Sequence, residues 1–294
     1  MIVRVRAPAK VNLFLRVLGR RGDGYHDLET VFHTLGLFDE LTFQAAPDLT
    51  LSAAGIPSPA GDDNLCLRAA RLLQGRTHGR RPGARIRLVK HIPTGAGLGG
   101  GSADAAACLV GLNRLWALRL GRPALARLAA ELGSDVPFFL VGGAAVGKGR
   151  GERLTAIRTR LTAWAVILKP AFGIPTGEAF AALDSIPADR RTCPAATLAG
   201  VVRAVTRGSL EALRVHNDFT QPAEARHPRV AQLRIGLLRT GARAAFLTGS
   251  GSAVVGLYAG RPAATRAART LQAKFRGFAR VAPLGSFVLR PTPG

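Results

Sequence analysis

Apolar and polar positions alternate from the start of the chain. Residues 2–18 (IVRVRAPAKVNLFLRVL) follow the period of two of a half-buried strand. Ala7-Pro8-Ala9 predicts a break there, because proline lacks the amide hydrogen that a ladder uses. A turn over residues 19–24 precedes Tyr25-His26-Asp27-Leu28, and residues 39–43 resume the strand pattern. Residues 47–63, with repeated Pro, Gly and Ser, read as loop, and residues 64–73 switch to the helical period. A further strand, 85–89, leads into a glycine-rich run, and an alanine-rich amphipathic helix over about 102–116 leads out of it. Residues 124–132 are again helical, and 147–152 form a second glycine-rich loop.

Near residue 158 the organisation restarts. Residues 163–168 read as a buried strand, and 176–183, 198–203 and 210–214 as helices. Strands 244–247 and 253–258 flank Thr248-Gly249-Ser250-Gly251-Ser252, followed by a helix over 261–276 and a last strand over 285–289. The expected architecture is α+β in two domains, 1–158 and 159–294, without a repeat or low-complexity tail.

The glycine-rich run carries the clearest chemistry. It reads Pro93-Thr94-Gly95-Ala96-Gly97-Leu98-Gly99-Gly100-Gly101-Ser102-Ala103-Asp104, set between strand and helix. Glycines reach backbone conformations closed to other residues and leave room for a ligand, while the new helix offers free N–H groups and a positive dipole end. That order builds an anion site whose natural occupant is a phosphate, or else a glycine-rich turn with no ligand, for which five glycines within seven residues are a poor choice. Gly95 to Gly100 satisfies G-x-G-x-x-G, but no later strand ends in Asp or Glu, which argues against a NAD or FAD fold. No G-x-x-x-x-G-K-[ST] loop occurs either.

Composition narrows the class. The 294 residues carry a formal net charge of +23, with 41 Lys and Arg against 18 Asp and Glu. The basic residues are nearly all arginine and spread along the chain, and aromatic residues are few, so a specific nucleic-acid surface is not expected. No apolar run approaches a membrane span, and the start reads as a strand instead of a signal peptide, which predicts a cytoplasmic protein. Cys66, Cys108 and Cys193 lie far apart, so neither a disulfide framework nor a zinc site is expected.

A phosphate cradle needs a cation and a carboxylate near the attacking hydroxyl. Lys10 is one of five lysines and follows the proline bend, as a solvated charge or as that cation. Asp135 sits before Val-Pro-Phe-Phe-Leu, as a helix cap or as that carboxylate. Thr248–Ser252 can be a plain hairpin turn or a second backbone patch facing a ligand, and Tyr25 with His26 an aromatic corner or a stacking platform.

Together these pieces resemble the GHMP kinase superfamily. The motifs, in order, are Pro8-Ala9-Lys10-Val11-Asn12, the loop Pro93 to Asp104 and the late glycine loop Thr248 to Ser252. Arg20-Arg21-Gly22-Asp23-Gly24-Tyr25-His26-Asp27, Leu132-Gly133-Ser134-Asp135-Val136-Pro137 and Gly173-Ile174-Pro175-Thr176 point to its branch acting on cytidine diphosphate methylerythritol. The resemblance implies a ribosomal-S5-domain-2-like N-terminal domain that binds ATP and a ferredoxin-like C-terminal domain, in a monomer or homodimer. It implies an ATP- and Mg²⁺-dependent kinase with Lys10 and Asp135 as catalytic pair. Asn64 and residues Pro93, Thr94, Gly95, Ala96, Gly97, Leu98, Gly99, Gly100, Gly101, Ser102 and Ala103 would bind ATP. Asn12, Tyr25, His26, Thr176 and Phe180 would bind the substrate, with Tyr25 and Phe180 sandwiching the cytosine and His26 bonding its edge. The metal's protein ligands stay unassigned. Many relatives carry a second serine where this chain has Ala103. Homoserine, mevalonate or a sugar are the rival substrates within the superfamily, and a polyanion-binding protein on the same fold is the rival outside the enzymes.

Overall fold

A computed structural model describes residues 1–77, 82–187 and 196–294, with Asp62 described in its backbone alone. Two long antiparallel strands, β1 (Ile2–Arg20) and β2 (His26–Ala46), form the spine. Val3, Val5 and Ala7 face one apolar cluster, while Ala9, Val11 and Leu13 face another. The proline does not end the strand. Pro8 pairs with Phe38 and Ala9 with Leu35, so β2 absorbs the irregularity as a bulge and β1 continues. The even positions Lys10 and Asn12 just beyond it are buried as well.

On the first cluster, β3 (Leu49–Gly55) pairs in parallel with the later strand over Gly83–Lys90, and α1 (Leu65–Gln74) packs behind. Residues 49–55 are not the loop that their composition predicts. They form an edge strand whose side chains are largely exposed on both faces, which erases the period of two. The partner strand is β4 (Gly83–Lys90), and it leads into α2 (Gly100–Leu115). Short side chains let α2 sit deep: Ala103, Ala105, Ala106 and Ala107 are fully buried, and Gly111 lies against the Phe43 ring. Next come α3 (Arg122–Leu132), α4 (Val136–Val141), β5 (Ala144–Gly149) and β6 (Arg153–Ile157). The glycine-rich 147–152 segment is thus half strand and half turn.

The rest of the chain adds β7 (Ala163–Pro170), α5 (Thr176–Asp184), α6 (Leu198–Arg207) and β8 (His216–Asn217). Then come α7 (Thr220–Arg226), α8 (Pro228–Arg239), β9 (Ala244–Leu247), β10 (Val254–Tyr258) and α9 (Arg261–Gln272). It ends with β11 (Gly277–Leu284) and β12 (Thr292–Pro293). Residues 210–214 form one turn closed by Leu213 N–H on Leu210 O, too short to propagate a helix. Residues 285–289 are not a strand, because the ladder with β7 ends at Leu284. A single path of strands, β12-β1-β2-β11-β7-β10-β9, crosses the molecule, and Leu284 pairs with Leu35 beside the β2 bulge. The mixed α and β architecture agrees with the expected class. Cys66 and Cys108 are buried and unbridged, and Cys193 lies outside the described residues. Among the described residues no helix is long and apolar enough to cross a membrane.

Candidate functional site

A cleft of about 860 Å³ opens where β1, the loop before α2, the start of α4 and the 248–252 loop converge. The loop before α2 is bent by three glycines in the left-handed region, Gly95, Gly97 and Gly99. A Cβ on Gly97 would sit 1.9 Å from Thr248 O, so the two glycine loops touch backbone to backbone. Ala253 N–H donates to Ala96 O at 3.2 Å, and Asn217 Nδ2 donates to Leu247 O and Gly249 O, both at 2.8 Å. Beyond Gly99, α2 begins with no side-chain cap and no acidic residue in its first turn. Its leading residues Gly100, Gly101 and Ser102 line the cleft, so their N–H groups and the dipole end stand ready for an anion.

Lys10 and Asp135 meet in that cleft. The Lys10 side chain is 4 % exposed; its ammonium lies 3.2 Å from Asp135 Oδ2 and donates to Asn12 Oδ1 at 2.8 Å. Asp135 occupies the N-cap position of α4, yet its carboxylate makes no capping bond and stays 34 % exposed. The carboxylate is held by the cation and open to the cleft, so Lys10 is not a solvated surface charge and Asp135 makes no side-chain cap. Asn12 is the hub beneath them. Its amide donates to Thr30 Oγ1 at 2.8 Å, its carbonyl also accepts from Gly249 N–H at 3.0 Å, and its backbone N–H donates to Thr248 Oγ1 at 3.1 Å. Although Asn12 borders the cleft, these partners occupy its side chain.

The remaining expected residues divide. Pro93, Thr94, Gly95, Ala96, Gly97, Gly99, Gly100, Gly101, Ser102, Tyr25, His26, Thr176 and Phe180 all line the cleft. Leu98 and Ala103 do not: both are fully buried in apolar clusters, so they support the loop from behind. Asn64 lines a neighbouring pocket, and its side chain caps α1 through Cys66 N–H at 2.9 Å while donating to Pro59 O at 2.8 Å. The aromatic end also differs from a simple sandwich. The His26 ring stacks on Phe180 with centroids 4.4 Å apart and planes at 16°, and the Phe180 ring meets Phe219 edge-on at 4.9 Å. Tyr25, 53 % exposed, has the Arg150 guanidinium 4.6 Å from its ring centroid. Phe180 and Tyr25 therefore share the cleft, but each already carries a partner on its ring.

Sequence reasoning missed Arg20, Arg150 and Asp184, which also line the cleft. Arg150 was within reach, since it lies in the second glycine-rich segment. It also missed a buried trio under the loop: Lys90 Nζ bonds to Asp39 Oδ2 and, at 2.7 Å, to Asp104 Oδ2, while Asp39 Oδ1 accepts from His91 and Ile92 N–H at 2.5 and 2.8 Å. Burial, opposed by Lys90, pushes the Asp104 carboxyl up to about 8, and among the described residues its Oδ1 has no hydrogen-bond partner.

Residues 64–143 match the family description "GHMP kinases N terminal domain", and residues 202–277 match "GHMP kinases C terminal". The 4-diphosphocytidyl-2-C-methyl-D-erythritol kinase of Moorella thermoacetica is 42 % identical over 92 % of this chain and 95 % of its own length. The chain belongs to that kinase family within the GHMP kinases. A crystal structure of a 4-(cytidine 5'-diphospho)-2C-methyl-D-erythritol kinase superposes with a TM-score of 0.82 at 37 % identity, covering 97 % of this chain and all of the other. The homoserine kinase of Cytophaga hutchinsonii, at 16 % identity and a TM-score of 0.73 over 99 % and 97 % of the two chains, shares the GHMP fold. The family is one of ATP-dependent phosphotransferases, so this chain is a kinase of a small molecule.

Proposed function

We propose that this GHMP kinase transfers the γ-phosphoryl group of ATP to the 2-hydroxyl of 4-(cytidine 5'-diphospho)-2-C-methyl-D-erythritol. The observation that carries it is the Lys10–Asp135 pair, facing the same cleft as an uncapped helix start and an aromatic end. Residues 1–158 supply the ATP-binding domain, and residues 159–294 contribute Thr176, Phe180 and the 248–252 loop. Every group named comes from one chain, so a monomer suffices and a homodimer is compatible.

The loop Pro93–Ser102 takes the phosphates, with backbone N–H groups at the start of α2 offsetting their charge. The carboxylate of Asp135 orients the substrate's 2-hydroxyl and accepts its proton as the oxygen bonds to the γ-phosphorus and the bond to ADP breaks. Lys10, fixed by Asn12, keeps positive charge beside the carboxylate and the transferring oxygens. The donor set fits a magnesium ion brought in on the nucleotide. The cleft offers the Ser102 hydroxyl and the Asp135 carboxylate, and no cluster of three or more His, Cys, Asp or Glu groups occurs among the described residues. Such an ion, when bound, would neutralise charge on the phosphate oxygens. Tyr25 and His26 face the base, one by stacking and one by hydrogen bonding, a discrimination that homoserine, mevalonate and sugars cannot engage.

The test is ATP consumption with the cytidine substrate beside homoserine, mevalonate and galactose. Turnover confined to the cytidine substrate supports the assignment; preference for another acceptor replaces it.

A further inference from the structure

At the aromatic end of the cleft, a carboxylate that no motif singled out holds the His26 imidazole. His26 Nε2 lies 2.9 Å from Asp184 Oδ1 and 3.1 Å from Oδ2, and the ring is clamped flat on Phe180. Asp184 is the last residue of α5, whose final turn contains no basic residue. A negative charge there opposes the helix dipole, so the helix alone gives no reason for it. It lines the cleft and is 38 % exposed, whereas the His26 side chain is 8 % exposed.

From this we infer that Asp184 is a specificity-determining positioning residue: it fixes the tautomer of His26 and thereby selects cytosine over uracil. The inference rests on the cytidine substrate proposed above. An ionised carboxylate only accepts hydrogen bonds, so the proton of the neutral imidazole must sit on Nε2. Nδ1 then keeps a lone pair, and among the described residues it has no hydrogen-bond partner. An acceptor at that point suits the exocyclic 4-amino group of cytosine, a donor. Uracil presents a carbonyl oxygen at the same position, and two acceptors repel. Phe180 acts through the same ring: by stacking on His26 it sets the plane in which Nδ1 points, while the half-exposed Tyr25, with Arg150 against its ring, lines the cleft beside it.

Removing the carboxylate while keeping its shape releases the tautomer without emptying the pocket. Asp184→Asn is expected to raise KM for the cytidine substrate about tenfold while kcat stays within about twofold, because the reacting hydroxyl is not touched. The preference for the cytidine over the matching uridine substrate should fall by about the same factor. Asp184→Glu, with its carboxylate restored, should recover part of both. Imidazole ¹⁵N resonances should show His26 protonated at Nε2 in the wild-type protein and a mixture of tautomers in Asp184→Asn. An Asp184→Asn enzyme with unchanged KM and unchanged base preference overturns the role of Asp184 while the proposed substrate stands. A wild-type enzyme that ignores the cytidine substrate defeats the substrate assignment, and this inference with it.

Discussion

The Lys10 ammonium is sealed from solvent, while the Asp135 carboxylate 3.2 Å away is a third open. The two halves of this pair therefore differ in what can reach them. Lys10 is fixed by Asn12 on one side and packed against Gly99 on the other, where a Cβ would meet its Cγ at 2.9 Å. Asp135 keeps an open side toward the cleft.

Asp135→Asn should fold and bind ATP like the wild type but lower kcat by about a hundredfold or more, the scope of lost acid–base assistance. Steady-state kinetics beside a calorimetric ATP titration checks this; near-normal turnover would remove the proton-accepting role.

Tyr25→Ala should weaken the cytidine substrate by about 1–3 kcal/mol through lost base stacking. Because the ring is exposed, thermal stability should hardly change. Isothermal titration with a cytidine diphosphate ligand, with melting curves alongside, separates the two.

Gly97→Ala meets two penalties at once. The backbone is left-handed at φ 74°, costing an L-residue about 1–2 kcal/mol, and the new Cβ would collide with Thr248 O. Loop and hairpin must separate, so KM for ATP should rise by about tenfold or more while the fold survives. Circular dichroism and ATP kinetics together read the result.

The buried trio should respond unequally. Asp39 accepts from Lys90 and from two backbone N–H groups, so Asp39→Asn should cost about 3 kcal/mol or more. Asp104 carries an unpartnered buried oxygen, and Asp104→Asn should lie within about 1 kcal/mol of the wild type. With its carboxyl raised to about 8 in the native state, Asp104 keeps a proton that the unfolded chain has released. Its contribution is therefore fully present below about pH 4 and is lost as pH rises through about 8. Urea unfolding across that window should show a flatter slope in Asp104→Asn.

His33 acts at the acid end. Burial lowers its pKa to about 4, with its ring between Thr34 O and Thr159 Oγ1. Between pH 6.5 and 4 the unfolded chain binds a proton that the native one refuses, so stability falls with pH by up to about 3 kcal/mol. His33→Gln should flatten that limb in the same unfolding series.

What could be read from the chain followed locality. Strand, glycine loop and helix are contiguous, and the motifs around Lys10 and Asp135 are short, so both are legible in the sequence alone. The edge strand Leu49–Gly55 was not, since it buries too little of either face to leave a pattern. Lys90, Asp39 and Asp104 escaped for a different reason. A buried charge looks like a surface charge until the fold brings its partners to it across long stretches of chain. The same holds for Asp184, whose meaning depends on His26, 158 positions away. The burial of Asn64 as a helix cap and of Leu98 and Ala103 behind the loop shows that a motif marks a segment, not the direction in which each side chain points.

The contact between Gly97 and Thr248 spans 151 positions of sequence. Its consequence concerns time. The glycine run is synthesised long before the hairpin that fits against it, so a nascent chain would own all the glycines of the loop before the wall that shapes them exists. Completing that loop is then among the late events of folding, and the cleft takes its shape only when the last third of the chain has arrived.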